Sequence, residues 1–395
     1  MSVQVSYKKQ FTLYLMLVLA ALVVYEGAQR AYDFFTIGDC EYPHRELFAN
    51  MDYFTKLDMC YSYTHIDHDT TSSPTVLIVP DQKSNFYNIN SDGIRGPEIN
   101  EKNDSVYRII MLGGSTLFGD VTSSDDYTIP GTLETLFLQN NFGDVEVING
   151  GIGGASSIRE LYYLKNYLLK FQPDMIIMYD GWNDVNYRNK YFSDMTLEEF
   201  SSSTWEENTR FKDEKEDTLK IGKFLNSIEY RTGLNMVKFF YNLINPESKS
   251  TEDTTEIRSA EEKNDQVAHI SGYMTRNWKD VCKLGLENDF KTVLLLQPML
   301  TTGDRIIHAG EEQILSSISE KQKEDLEYIR NFSVQIDDLF PCEHFFDIRD
   351  TFDGYDETLI YFDHGHMFDD GNTIVAKKIF YNISPIVQKD INKSQ

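Results

Sequence analysis

Basic residues are the first shortage. The 395-residue chain has 37 Lys and Arg against 63 Asp and Glu, a formal charge of −26. Such a surface repels phosphate backbones and anionic headgroups, which excludes nucleic acid as a main partner. Cysteine is also scarce: Cys40, Cys60, Cys282 and Cys342 are the full set, and none stands in a C-x-x-C pair. That spacing argues against a zinc framework, and no metal or cofactor is expected. In an oxidising compartment the four thiols allow two disulfides in three connectivities, with Cys40–Cys60 as the local pairing. No internal repeat is present. With 41% hydrophobic residues, the chain has enough apolar material for a core and is not a disordered acidic polymer.

Long apolar runs are equally rare. One stands out, Phe11 to Tyr25, broken only by Thr12. It is shorter than the ~20 residues a bilayer span needs, but Ser2 to Tyr7 and Gly27 to Phe35 can extend it into the headgroup regions. A cleaved signal peptide has an apolar core of similar length. The small-x-small cleavage pattern is missing, since Leu19 stands two before Ala21 and Glu26 two before Ala28. The expectation is therefore an uncleaved single-pass anchor over residues 1–35, with secretion after cleavage as the alternative. Lys8 and Lys9 before the run and Glu26 after it put the N-terminus in the cytoplasm and the rest of the chain outside.

Beyond the anchor, residues 36–105 read as an irregular, turn-rich segment. Alternation then begins. Strands are predicted at Val106–Leu112, Val145–Asn149, Met175–Tyr179, Thr292–Gln297 and His344–Ile348. Helices are predicted at Tyr127–Leu138, Ser157–Phe171, Ile314–Leu339 and Gly371–Val387. Short β-branched strands separated by helices signal an α/β fold with a parallel sheet covered on both faces. Between 186 and 275 the pattern lapses into acidic clusters and Ser/Thr runs, with helical spacing only at Ile221–Leu243. We read this stretch as a helical and acidic insertion, a candidate lid, within a domain spanning 106–388.

The polar candidates fall at the carboxyl ends of the predicted strands, where α/β sheets bind ligands. Ser115 follows the first strand, Gly151 the second, Asn183 the third, and Asp363 and His366 precede the last helix. Singly, each has an ordinary structural reading as turn, cap or chance pair. Together they meet a chemical need: a serine hydroxyl attacks only when a base takes its proton, and an acid must hold that base. His364 is a rival base, but adjacent to Asp363 its side chain diverges from it. The cluster His65-Ile66-Asp67-His68-Asp69 lacks ligand spacing and reads as a solvated loop.

At this point the chain resembles the SGNH, or GDSL-type, hydrolase family over about half its length. Ile109 to Gly119 (IIMLGGSTLFG) is similar to the family's first block, with Gly114 where most members carry Asp, a Gly-Gly-Ser variant. Asn149 to Gly154 (NGGIGG), Gly181-Trp182-Asn183-Asp184 and Asp363-His364-Gly365-His366 resemble the later blocks. Asn90 to Gly96 (NSDGIRG) resembles a segment found upstream in the same subset. The resemblance implies a flavodoxin-like three-layer sandwich on a parallel five-stranded sheet. It also implies Ser115, Asp363 and His366 as catalytic residues, and Ser115, Gly151 and Asn183 as oxyanion donors.

The expected activity is that of a membrane-anchored, outward-facing serine esterase. It would hydrolyse an O-acyl, chiefly O-acetyl, ester on an extracellular glycan or related substrate. An O-acyltransferase on a surface polysaccharide shares the whole apparatus. A lipid esterase or thioesterase, and a non-catalytic glycan-binding surface protein, are the further alternatives. Composition does not address the oligomeric state.

Overall fold

The structure, a computed structural model, describes residues 6–36, 42, 45–71, 73–210, 260–334 and 336–394. The chain divides into two compact units, residues 1–41 with 213–254, and residues 42–212 with 255–395. The predicted helical stretch Ile221–Leu243 and the middle of the expected insertion lie outside the described residues.

In the first unit, helix α1 spans Tyr7–Thr36. Its segment Tyr7–Ala28 has a mean hydropathy of 1.9 over its most apolar window and is long and apolar enough to cross a bilayer. Phe11, Leu13, Tyr14, Val23 and Val24 all stand exposed on it.

The second unit is α/β. Its sheet contains β1 (Tyr107–Gly113), β2 (Val145–Gly151), β3 (Met175–Asp180), β4 (Lys291–Leu296) and β5 (His344–Asp347). All pairings are parallel and the order is β2-β1-β3-β4-β5, the flavodoxin-like arrangement. Side chains on a strand alternate between faces, and that period sorts the core into two layers. Ile110 and Leu112 of β1, Ile176 and Met178 of β3, and Leu294 and Leu296 of β4 pack on one side. Ile109 and Met111, Ile177 and Tyr179, and Val293 and Leu295 pack on the other. With both faces covered, the centres of these strands, Ile109–Leu112, Met175–Tyr179 and Val293–Leu296, are continuous apolar runs.

One layer is closed by α4 (Ile129–Gln139) and α10 (Asp369–Ser394). The other is closed by α5 (Ser157–Tyr163), α7 (Ala260–Asn288) and α9 (Glu320–Arg330). Helix α7 starts well inside the stretch expected as insertion. It buries Ile270, Met274, Trp278 and Val281 at helical spacing, and Cys282 near its end is disulfide-bonded to Cys342 ahead of β5. Cys60 is also oxidised; its expected partner, Cys40, lies outside the described residues.

Two further expectations need correction. The 36–105 segment contains a 12-residue helix, α2 (Tyr53–Thr64), whose N-cap Asp52 accepts from Thr55 N–H at 3.1 Å. The single helix expected at Ile314–Leu339 is broken into α8 (Ala309–Ser317) and α9, because Ser319 and Gln322 form a capping box that starts a new helix.

Candidate active site

Strand β1 ends at Gly113, and Gly114 caps the one-turn helix α3 (Ser115–Phe118). Ser115 is its first residue, so its N–H has no intrahelical acceptor. The next glycine, at position 119, adopts φ 93° and ends the helix. Asp120 N–H then donates back to Ser115 O at 3.1 Å. The bend is held from behind by Arg95. Its buried guanidinium donates to Asp125 Oδ1 (2.7 Å), to the carbonyls of Phe118, Gly119 and Phe86, to Tyr63 Oη and to Thr122 Oγ1. The motif Asn90 to Gly96 thus supports the turn that presents the serine.

Opposite stands the turn that precedes α10. Phe362 N–H donates to His366 O at 2.8 Å, and Leu300 N–H, beyond the end of β4, donates to His364 O at 3.1 Å. Within it, Asp363 Oδ1 accepts from Gly365 N–H (2.8 Å) and His366 N–H (2.7 Å). Asp363 Oδ2 lies 2.7 Å from His366 Nδ1, and His366 Nε2 lies 2.7 Å from Ser115 Oγ. Three groups expected from the sequence, separated by up to 251 positions, therefore form one hydrogen-bonded line.

Electrostatics follow from these contacts. Burial alone would push the Asp363 carboxyl up, yet the charge and hydrogen bond of His366, with His364 and the Gly365 N–H, hold it far below the usual carboxylate range. Burial likewise disfavours the His366 imidazolium, but Asp363, with a further contribution from Asp120, raises its pKa to about 9. His364 goes the other way, lowered by burial. Its ring packs on Trp182 with centroids 4.3 Å apart, so His364 lines the wall beside the triad-like line and does not compete for Ser115.

Asn183 is carried by α6 (Trp182–Asn186), which follows β3. Its Nδ2 donates to Ala155 O at 2.6 Å. A Cβ at position 114 would overlap that same nitrogen. Glycine at 114 is therefore a packing requirement of Asn183 in this chain.

Gly151 does not do what was expected of it. It is the last residue of β2, its N–H donates to Asn149 Oδ1 at 3.0 Å, and its α-carbon lies against the backbone of Phe118. That donor is already used. The turn beyond it is different: Ala155 N–H closes on Ile152 O at 3.0 Å with Gly154 at φ 70°, a β-turn position suited to glycine. Among the described residues the Gly154 N–H meets no acceptor, and its neighbour Ala155 is the residue that holds Asn183. The sequence carries two Gly-Gly pairs here, and only the point at which β2 stops separates their roles.

Asp120 was also missed. Its Oδ2 lies 4.0 Å from His366 Nε2, and a third of its side chain is exposed. Burial raises its pKa, opposed by His366, Arg95 and His68. The cluster at residues 65–69 holds no metal-ligand arrangement; His65 stacks on Tyr61 at 3.9 Å.

Neither a protein-family model nor a curated protein matches the chain. Solved structures similar to it include the acetyl xylan esterase AlAXEase, at 15% identity and a TM-score of 0.38 over 69% of this chain and 98% of that one. They also include Axe2, an acetylxylan esterase from Geobacillus stearothermophilus, at 11% and 0.35 over 70% and 94%. A third is CEX, a two-domain esterase active on acetylated mannans, at 13% and 0.34 over 72% and 49%. At these values the likeness carries no argument about activity, and function has to be argued from the site.

Proposed function

We propose that this chain is a serine esterase that hydrolyses an O-acyl ester, chiefly O-acetyl, on a glycan. The observation that carries the reading is the pair of 2.7 Å contacts joining Asp363, His366 and Ser115. Ser115 Oγ attacks the acyl carbon while His366 Nε2 takes its proton, and Asp363 holds the imidazole at Nδ1. Charge developing on the carbonyl oxygen is met by the N–H of Ser115, the N–H of Gly154 and Nδ2 of Asn183, with Gly154 in the place first expected for Gly151. One such donor is worth ~2.7–4 kcal/mol of barrier. His366 then returns its proton to the leaving alcohol, and the acyl-serine is resolved in a second step.

About a quarter of the His366 and Asp363 side chains stays exposed, 24% and 25%. Such openness suits an alcohol moiety far larger than the site, as in a polymer. The Trp182 ring beside His364 offers a face on which a sugar can stack. In this reading helix α1 serves as a membrane anchor, with the catalytic unit on the outer side; its length and apolar composition support it.

A fluorophosphonate probe tests the nucleophile: it should label the wild-type chain at Ser115 and leave Ser115→Ala untouched. Release of p-nitrophenol from its acetyl ester should vanish in His366→Ala. A folded wild-type protein that neither labels nor turns over would return the reading to a glycan-binding surface protein. Acetylated product formed on an added oligosaccharide would favour the transferase. A preference for long-chain over acetyl esters would favour the lipid esterase or thioesterase.

A further inference from the structure

Asp363 and Asp120 both face the imidazole of His366, and only Asp363 is employed. Each oxygen of Asp363 accepts a hydrogen bond from the protein. The Asp120 carboxylate accepts none among the described residues, although its Oδ2 lies 4.0 Å from Nε2. It is not a loose surface acid. Its own N–H is tied to Ser115 O, and the two carbonyls before it are held by Arg95 at 3.1 and 2.8 Å. The backbone that carries it is therefore fixed, and its carboxylate, with free lone pairs, lies 4.0 Å from the nitrogen that acts as the base.

Resting on the esterase reading above, we propose that Asp120 positions the water that resolves the acyl-enzyme and so selects hydrolysis over transfer to an alcohol. Once Ser115 Oγ is esterified it no longer donates to Nε2, and that nitrogen is free to accept. A molecule hydrogen-bonded at ~2.8 Å to both Nε2 and Oδ2 spans their separation at roughly a right angle, close to the angle between the O–H bonds of water. Water has two hydrogens and satisfies both acceptors. An alcohol has one, so binding at Nε2 turns its carbon substituent toward the Asp120 carboxylate, which is then left without a donor.

The step balances as follows. The water oxygen attacks the acyl carbon, one proton passes to Nε2, and the other O–H remains donated to Asp120. The tetrahedral adduct collapses with cleavage of the bond between Oγ and the acyl carbon, Nε2 returns its proton to Oγ, and the carboxylic acid leaves.

The test is a partition measurement on the full chain. With p-nitrophenyl acetate as donor and methanol as competing acceptor, methyl acetate is measured against acetate. Asp120→Ala should raise that ratio about tenfold, the worth of one hydrogen bond to a charged group. It should also slow deacylation enough for a p-nitrophenol burst to appear, while fluorophosphonate labelling of Ser115 persists. Asp120→Asn, which keeps an acceptor oxygen and the side-chain volume, should fall between the two and serves if the alanine variant does not fold. A labelled, folded Asp120→Ala with wild-type partition and no burst would overturn the proposal while leaving the esterase reading intact. Failure of the esterase reading looks different, because the wild-type chain would then neither label nor turn over.

Discussion

The turn at 363–366 and the cluster beneath Asn183 are both built on aspartates near the carboxyl ends of the strands, and they treat those carboxylates in opposite ways. At the turn, Asp363 collects two backbone N–H groups and an imidazole, so its charge is stabilised despite burial. Beneath Asn183, Glu160, Asp180 and Asp184 are all almost fully buried. Asp180 has Trp278 Nε1 at 2.5 Å, Asp184 has Ser157, and neither oxygen of Glu160 meets an N–H or hydroxyl donor. Burial is the leading influence in every case, and the sign of the neighbouring charge, with the hydrogen bonds, decides whether it wins: His366 opposes it at Asp363, while Asp180 adds to it at Asp184 and Glu160. It wins in the cluster: Asp180 is raised to about 6, Asp184 to about 7, and Glu160 well above the carboxylate range. Burial, and after it the neighbouring charges of Asp180 and Asp184, favours a proton on Glu160. One region keeps an anion ready beside a base, and the other supports the floor under Asn183 with a neutral acid.

The strongest way to break this contrast is Asp363→Asn. It preserves shape and removes the charge, so kcat should fall roughly 10²–10⁴-fold through loss of the imidazole's orientation and tautomer. The acid limb of kcat/KM, expected near the His366 value of about 9, should move to lower pH, because a raised imidazole pKa means the neutral base is lost as pH falls through it. An unmoved limb, followed by initial rates across pH, would show that Asp363 does not set that titration. Gly114→Ala comes next. The added methyl overlaps Nδ2 of Asn183, so the amide must shift, and kcat should drop about 10²-fold with fluorophosphonate labelling of Ser115 retained but slower. Unchanged rates would mean that Asn183 is not a donor to the reacting oxygen.

How much of this was legible depended on how local the signal was. Runs such as Ile109–Leu112 announce themselves because a stretch of strand buried on both faces has no polar positions to confuse the pattern. Ser115 and Asn183 are recognisable because each stands where a run ends, and Asp363 and His366 because they stand just ahead of the last helix. Helix α7 was lost because its first turn, Glu261 to Asp265, is polar and follows an acidic stretch. Its apolar stripe from Val267 onward was nevertheless there to be counted. The choice between Gly151 and Gly154 needs the last residue of β2, and strand ends are the least certain feature of any sequence reading. Asp120 gave no signal, since an acid after Phe-Gly at a helix end reads as solvated. Its role exists only once residues 246 positions apart, at 120 and 366, are brought within 4.0 Å.

The smallest effect is the most direct measure of the contrast, since it concerns stability and not rate. An acid whose pKa is raised by folding holds its proton in the native state after the unfolded chain has released it. Stability is then full below the unfolded value near pH 4 and declines as pH climbs through the folded values of about 6 and 7. A depressed acid such as Asp363 has the reverse sign: its contribution is present above about pH 4 and lost only in strong acid. Glu160→Gln replaces a buried carboxyl beside Asp180 with a neutral amide that cannot ionise. Between about pH 5 and 8 the wild-type Tm should therefore fall more steeply than that of the variant, by a few degrees over the range. Parallel Tm-against-pH curves for the two proteins would mean that folding does not raise the Glu160 carboxyl, and the cluster would then differ from the triad turn only in depth.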